Sequence, residues 1–457
     1  MIPIFYNRKI WLLFFTDIVI ILAVTWFSPW LRGWQYDIFT LETGASFFTL
    51  LFYLTMFYIF DLYNVERYYF TLDMILRMSI AVCFAGFFSI FLFFYIPQFG
   101  FSRSIFLIQI LLVWFLSSTV RLLFIKLFLN YNDKKDVLVL GAGESGLALY
   151  NLLKDNMSPY RIVGFVDDNP KSFSDCSDCP PILGRTEDLL DIIKSRGIKI
   201  LILAISRNNF PKLIRDILKA RLQGIQIIEM PTLFERFTNK IPVEHIDDGW
   251  LVFTEGFNLI SKEYLWNLKH LFDFFISLIM LIIFAPIMLV IAILIRIDSP
   301  GPVLFIQKRV GLNGKIFDIF KFRSMKVDSE IQGAVWASEN DIRITRIGKL
   351  LRFLRIDELP QLLNVFQGEM SLIGPRPERP EFVKELEIGI PYYHIRHTVR
   401  PGITGWAQVN YPYGASQKDA LNKLEYDLFY IKNMSLLLDF KIILKTIGVI
   451  LFGQGAR

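Results

Sequence analysis

The run Val137-Leu-Val-Leu-Gly-Ala-Gly-Glu-Ser-Gly146 marks where the chain passes from long apolar stretches to α/β structure. Val137 to Leu140 reads as a short buried strand, the glycines as a tight turn, and Leu147 to Leu153 as the helix that follows. A second strand, Ile162 to Val166, ends in Asp167 and Asp168, about 20 residues beyond the glycines, where a ribose-binding acid would sit. Ile198 to Ala204 and Ile225 to Glu229 read as further strands of the same sheet. The pattern predicts a Rossmann-like domain over residues 133–262. Gly141, Gly143 and Gly146 are its possible nucleotide loop. The alternative, a scaffold that keeps the glycines because strand and helix must pack closely, is preferred, since fold does not establish function.

Upstream, four apolar stretches fill residues 1–132: Ile10 to Leu31, Ala45 to Tyr63, Met74 to Ile96 and Ser104 to Leu129. Each is about 20 residues, the length that crosses a bilayer. The composition agrees: 53% of the 457 residues are hydrophobic, 16% are aromatic, and the 44 Phe are concentrated in the first 130 positions. Arg8, Lys9, Arg67, Arg77, Arg121, Lys126, Lys134 and Lys135 flank one side of these spans. Only Arg32 and Arg103 lie on the other, so both ends of the bundle are expected in the cytoplasm. The net charge of +6 suits anionic headgroups or a phosphorylated substrate, and no nucleic-acid motif is present. Cys176 and Cys179 form a lone C-x-x-C, read as incidental because two further zinc ligands are not nearby. The four histidines are too dispersed for a metal cluster.

Downstream, a fifth apolar stretch, Leu271 to Ile295, carries Pro286 in its middle. It is either a kinked spanning helix or a re-entrant hairpin that enters and leaves by one face. A full crossing would carry the rest of the chain away from cytoplasmic nucleotide-activated substrates. Residues 263–297 are therefore expected to form a re-entrant membrane helix broken at Pro286.

The chemistry concentrates in residues 298–457, around Arg352-Phe-Leu-Arg-Ile-Asp-Glu-Leu-Pro-Gln361. Asp357 and Glu358 place two carboxylates among arginines where Pro360 opens a helix. A helix start attracts phosphate and two carboxylates repel it, which points to a cation or a covalent step rather than a structural role. Other landmarks are Lys321-Phe-Arg-Ser-Met325, Gly374-Pro-Arg-Pro377, Arg400-Pro-Gly-Ile-Thr-Gly-Trp406 and Glu425-Tyr-Asp427. The last apolar segment, Leu436 to Leu451, reads equally as a membrane-surface or a core helix.

From Lys269 to the C-terminus these ordered motifs resemble the bacterial sugar transferase family, the polyprenyl-phosphate hexose-1-phosphate transferases. The four spans and the Rossmann-like domain resemble its large form. The resemblance implies transfer of hexose 1-phosphate from a UDP-sugar to undecaprenyl phosphate, releasing UMP, as the first membrane step of exopolysaccharide, capsule or O-antigen synthesis. It implies Asp357 as nucleophile through an aspartyl-phosphosugar intermediate, with Glu358 assisting the metal or a proton transfer. Mg2+ is the implied cofactor, with Asp357 as its ligand. Arg352 and Arg376 match the phosphate-holding positions, Lys321 and Arg323 are expected beside them, and Arg400 and Thr404 are candidate nucleotide or sugar contacts. A mostly α-helical monotopic catalytic domain, a homodimer, contact with membrane lipids, and a multi-pass place in the bacterial inner membrane with soluble domains in the cytoplasm complete the expectation.

Two rival readings are weaker. An NAD-dependent nucleotide-sugar dehydratase or epimerase needs a Tyr-x-x-x-Lys pair well downstream of the glycine loop. The matches, Tyr131 with Lys135 and Tyr150 with Lys154, precede the loop or sit in the first helix after it. A silent assembly or regulatory protein would have no use for Asp357 beside Arg352 and Arg376.

Overall fold

The structure, a computed structural model, describes residues 8–30, 42–60, 62–63, 71–95, 103–128, 134–154, 158–169, 178–205, 211–257, 263–326, 343–412, 414 and 416–451. Arg32, Arg67 and Cys176 lie outside the described residues. The chain divides into two units, residues 1–134 with 156–159, and residues 135–155 with 160–457.

The first unit is a bundle of α1 (Arg8–Trp30), α2 (Glu42–Ile59), α3 (Thr71–Tyr95) and α4 (Arg103–Phe128), each packed on its neighbours in a closed ring. Its apolar side chains point outward as well as inward: Val19 and Leu111 are 65% and 64% exposed, as a lipid-facing surface requires. By length and composition α1, α3 and α4 can cross a membrane, and the apolar run of α2 covers Phe47–Ile59 among the described residues. Polar groups are turned to the centre, where Gln109 donates to the Thr25 hydroxyl at 3.0 Å. One expectation is corrected here. Arg121, counted as a flanking charge, is fully buried and forms a two-pronged ion pair with Asp17 at 2.8 and 2.7 Å. Its planar fork matches the carboxylate, and the pairing offsets part of the cost of burying both charges.

The second unit opens with β1 (Lys135–Leu140), α5 (Glu144–Leu153), β2 (Tyr160–Val166), β3 (Ile182–Gly184), α6 (Leu189–Arg196), β4 (Ile200–Leu203), α7 (Pro211–Leu222) and β5 (Gln226–Glu229). The strands form a parallel sheet in the order β3-β2-β1-β4-β5. Val137 and Val139 face one apolar core and Leu138 and Leu140 the other, which is why β1 reads as a continuous apolar run. The short β3 carries little apolar signal and is not apparent from sequence.

The chain continues through α8 (Met230–Thr238), a 3-10 turn at Val243–His245 and α9 (Asp248–Phe253). Packing continues across the expected boundary at residue 262. Ile241, Val243 and Trp250 share one core with Leu424, Leu428 and Trp406, and the Ile241 amide donates to the Glu425 carbonyl at 3.1 Å. Glu235 of α8 holds Lys432 and accepts from Asn433 at 2.7 Å.

α10 (Glu263–Asp298) runs helical for 36 residues with Pro286 inside it. Its N-terminal flank is tied to the following domain by Lys269, which donates to Asp439 at 2.8 Å, and by Phe274, stacked on Phe366 at 5.0 Å. Its C-terminal flank returns to the same domain, with Ile291 and Ile295 in a cluster with Phe322 and Leu351. Between the flanks the surface is apolar and bare, and Ile282 is 67% exposed.

The rest comprises β6 (Leu304–Val310), β7 (Ile316–Phe322), α11 (Arg346–Phe353), α12 (Gln361–Phe366), β8 (Ser371–Ile373), α13 (Pro380–Gly389), β9 (Gly402–Thr404), α14 (Trp406–Asn410), α15 (Gln417–Asn433) and α16 (Leu436–Leu451). β6 and β7 pair as a hairpin, and β8 lies parallel to β9. Ile442 and Asp439 of α16 are buried, so this helix is part of the core.

Candidate active site

Three short elements bring the charged residues together. Asn364 of α12 is buried with its amide fully used. It donates to the Asp318 carbonyl and to Glu369, both at 2.8 Å, and accepts from the Phe320 amide at 3.1 Å. These bonds fix α12 to β7, with Lys321 beside the turn that precedes the helix. That turn, Ile356–Glu358, is 3-10 and follows Arg355, whose φ of 56° reverses the chain after α11. Pro360 caps the six-residue α12, so the carboxylate pair precedes that helix rather than lying in its first turn.

The third element follows β8. A Cβ at Gly402 would stand 2.0 Å from the Gly374 amide, and this close approach of β9 lets Pro375-Arg376-Pro377 fold over the pair. Arg376 donates to Glu358 at 2.8 Å and Lys321 reaches the same oxygen at 3.3 Å. Burial opposes ionisation of Glu358, but Arg376, Lys321 and Arg355 outweigh it and hold its pKa well below the usual carboxylate range. Lys321 is itself pushed down by burial against the pull of Glu358.

Asp357 is placed differently. It is 9% exposed, and its Oδ1 is buried with no hydrogen-bond partner among the described residues. Burial and the Glu358 charge raise its pKa, against Lys321, Arg352 and Arg355. A buried carboxylate oxygen without a donor is costly unless an incoming group completes it. Arg352 bonds the Ser324 hydroxyl through Nε at 2.9 Å, which leaves its terminal nitrogens without a hydrogen bond among the described residues.

Of the expected residues, Lys321, Arg352, Asp357, Glu358 and Arg376 therefore converge. Three do not. Arg323 is turned to the start of the domain and donates to the Ser299 and Pro300 carbonyls at 2.6 and 3.0 Å. Thr404 bonds the Thr446 hydroxyl of α16 at 2.8 Å, and Arg400 lines a different cavity with Trp266 and His270. In the Rossmann-like domain, Asp167 accepts from the Ala142 amide at 2.5 Å and Asp168 from Thr186 at 2.7 Å. Both acids expected to hold a ribose thus already have partners, one of them in the glycine loop itself.

Of the residues behind Arg376, only Asp427 stands in a motif singled out from sequence. Arg396 donates to the Arg376 carbonyl at 3.0 Å and to the Tyr393 hydroxyl at 2.6 Å, and is in ion-pair contact with Asp427 at 2.9 Å. Asp427 is pushed up to about 6 by burial, against Arg396. The Glu425-Tyr-Asp427 motif was the available signal for this support; Arg396 had none.

A single carboxylate with an unpartnered oxygen fits Mg2+, which takes one or two protein carboxylates and completes its shell with phosphate and water. Glu358 is less available, since its Oε1 is held by two cations.

Residues 264–453 match the family described as Bacterial sugar transferase, and residues 58–231 match a CoA-binding domain. The UDP-N-acetylgalactosamine-undecaprenyl-phosphate N-acetylgalactosaminephosphotransferase of Aeromonas hydrophila is 46% identical over 53% of this chain and 56% of its own length. The undecaprenyl-phosphate glucose phosphotransferase of Komagataeibacter xylinus is 35% identical over 70% of this chain and 60% of its own. These two matches thus span little more than half of each relative. The UDP-glucose:undecaprenyl-phosphate glucose-1-phosphate transferase of Klebsiella pneumoniae is 33% identical over 70% of this chain and 68% of its own length. With that coverage and the matched catalytic region, the chain belongs to the bacterial sugar transferase family.

Proposed function

We propose that this protein transfers a sugar 1-phosphate from a UDP-sugar to undecaprenyl phosphate in two displacements at Asp357. The observation that carries the reading is the buried Asp357 oxygen left without a partner beside a neighbour clamped by Arg376 and Lys321. Asp357 attacks the phosphorus next to the sugar, a P–O bond forms to the carboxylate, and the bond to UMP breaks. The lipid phosphate oxygen then attacks the same phosphorus, forming the diphosphate and returning the carboxylate. Arg352 supports binding of the diphosphate through its open fork, and Arg376 faces the same charge while it holds Glu358. Bound Mg2+ would neutralise charge on the diphosphate, with Asp357 as its protein ligand.

α10 supports the membrane placement. Both of its flanks pack on the catalytic domain and its middle is exposed apolar surface, which favours a helix that dips into the bilayer and returns over one that crosses. This keeps the site at the cytoplasmic headgroup level with the nucleotide sugar. The relatives' names include both glucose and N-acetylgalactosamine. The test is UMP release from a panel of UDP-sugars by the full chain in micelles, with and without undecaprenyl phosphate. Release without the lipid, limited to about one UMP per enzyme, supports the covalent step; release that strictly requires the lipid overturns it.

A further inference from the structure

α15 is held between two parts of the chain. Glu425 and Lys432 lie on one of its faces, because seven residues make about two turns. Asp427 and Tyr430 each stand two residues inward from these, about half a turn away, and so lie on the opposite face. The first face meets α8. Lys432 donates to Glu235, whose other oxygen accepts from Asn433 at 2.7 Å, and Lys240, just past α8, reaches Glu425 at 3.5 Å. α8 in turn belongs to the Rossmann-like domain, since its Met230 and Leu233 share a core with Val137, Val139 and Leu149. The opposite face meets the transfer site. The Tyr430 hydroxyl reaches the Ile373 carbonyl at 3.2 Å, at the end of β8. Asp427 pairs with Arg396 at 2.9 Å, and Arg396 donates to the Arg376 carbonyl at 3.0 Å.

The Glu235–Lys432 pair is buried, with both side chains 9% exposed, and the Lys432 ammonium also lies 4.8 Å from the centre of the Trp250 ring. A buried cation that loses its carboxylate is strongly unfavourable, and α15 would have to shift to return Lys432 to water. Such a shift would carry Asp427 and Tyr430 with it, because a helix moves as one body. We propose that Glu235 is a positioning residue for sugar-phosphate transfer. By fixing Lys432 it sets α15 against β8 and the Arg376 loop, so the Rossmann-like domain supports the transfer site without touching substrate. The proposal rests on the transfer reading above, and its test separates the two.

Rapid-quench measurement of lipid-free UMP release by the full chain in micelles tests it. The burst amplitude counts competent enzyme, and the burst rate reports how well Arg376 is placed. Glu235→Gln should slow the burst by about 10-fold, within the roughly 100-fold that a 1 Å misplacement can cost, with the amplitude per folded protein unchanged. Glu235→Leu combined with Lys432→Leu removes both charges and should return the rate to within about 2-fold of the parent. Glu235→Gln combined with Asp427→Asn should be slowed by less than the product of the single effects, since both act through α15 on Arg376. An unchanged burst rate in Glu235→Gln, with amplitude falling in step with the folded fraction in a thermal scan, would reduce the pair to a structural tie and overturn the proposal. Effects of the two substitutions that simply multiply would overturn it too. If Glu235→Gln does not fold, Asn433→Ala, which removes only the second bond to Glu235, should slow the burst by about 3-fold, and no slowing would overturn the proposal. A parent without a lipid-free burst would count against the covalent step alone, and the same rates are then compared in turnover with undecaprenyl phosphate.

Discussion

The Rossmann-like sheet and the catalytic domain each set carboxylates beside a tight turn, and they treat them in opposite ways. Asp167 accepts from the Ala142 amide of its own glycine loop and Asp168 from Thr186, so both acids already have partners. Asp357 is buried with an oxygen that has no hydrogen-bond partner among the described residues, while Arg376 and Lys321 are committed to Glu358. A satisfied carboxylate stabilises a turn; an unsatisfied one, held by a rigid surround, is available for chemistry.

The largest expected effect is at Asp357. Asp357→Asn should lower UMP release by about 10^4-fold or more, the scale seen when a nucleophile is removed. The same variant should melt higher than the parent at pH 7. The folded pKa of Asp357 is raised, so its favourable contribution exists below the ordinary carboxylate range and is lost as pH rises through the folded value. A thermal scan in micelles checks this, and a lower melting point would break the contrast with Asp167.

Glu358→Gln should act with the opposite sign on stability. The folded pKa of Glu358 is depressed, so its contribution is present throughout the neutral range and is lost only at strongly acid pH. Removing its charge leaves Arg376 and Lys321 facing each other, at a cost of about 3 kcal/mol in denaturant unfolding. Activity should fall by about 100-fold as well, because Arg376 loses its anchor.

Asp427→Asn probes the support behind Arg376. In the parent, Asp427 is pushed up to about 6 by burial, so protonation as pH falls through that value releases Arg396 and should lower kcat. The Asn variant should be about 10-fold slower at pH 7.5, the scale of a small misplacement of a positioned group, and should lack that acid limb. A pH profile that keeps the limb would assign it to another group.

The smallest effect is expected in the Rossmann-like loop. A Cβ at Gly143 meets nothing within 4 Å, so Gly143→Val should change UMP release by less than about 2-fold. Gly146→Ala should impair folding, since its Cβ would stand 2.3 Å from the Gly141 carbonyl. Selective loss of transfer in a well-folded Gly143→Val protein would mean that the loop has a ligand after all.

Local pattern explains which expectations survive in the structure. The Rossmann-like strands were legible because a buried parallel strand writes its apolar residues consecutively, and the long helices because their apolar runs are long. Arg121 was misread because a charge near the end of an apolar stretch looks the same whether it meets headgroups or, as here, Asp17 across the bundle. Arg323 and Thr404 stood in motifs that matched, yet their partners, Ser299 and Thr446, lie far along the chain. Arg396 and Asn364 left no trace in the pattern, since their value lies in bonds to residues distant in sequence.

By itself the sequence determined the apolar helices, the parallel α/β domain, and the presence of Asp357 and Glu358 among arginines, because periodicity and residue type are local properties. The tertiary structure decided which cations hold Glu358, which oxygen of Asp357 is left open, and that both flanks of α10 rest on one domain. Those outcomes depend on burial and on partners from separate segments, and they exist only once the chain has closed around them.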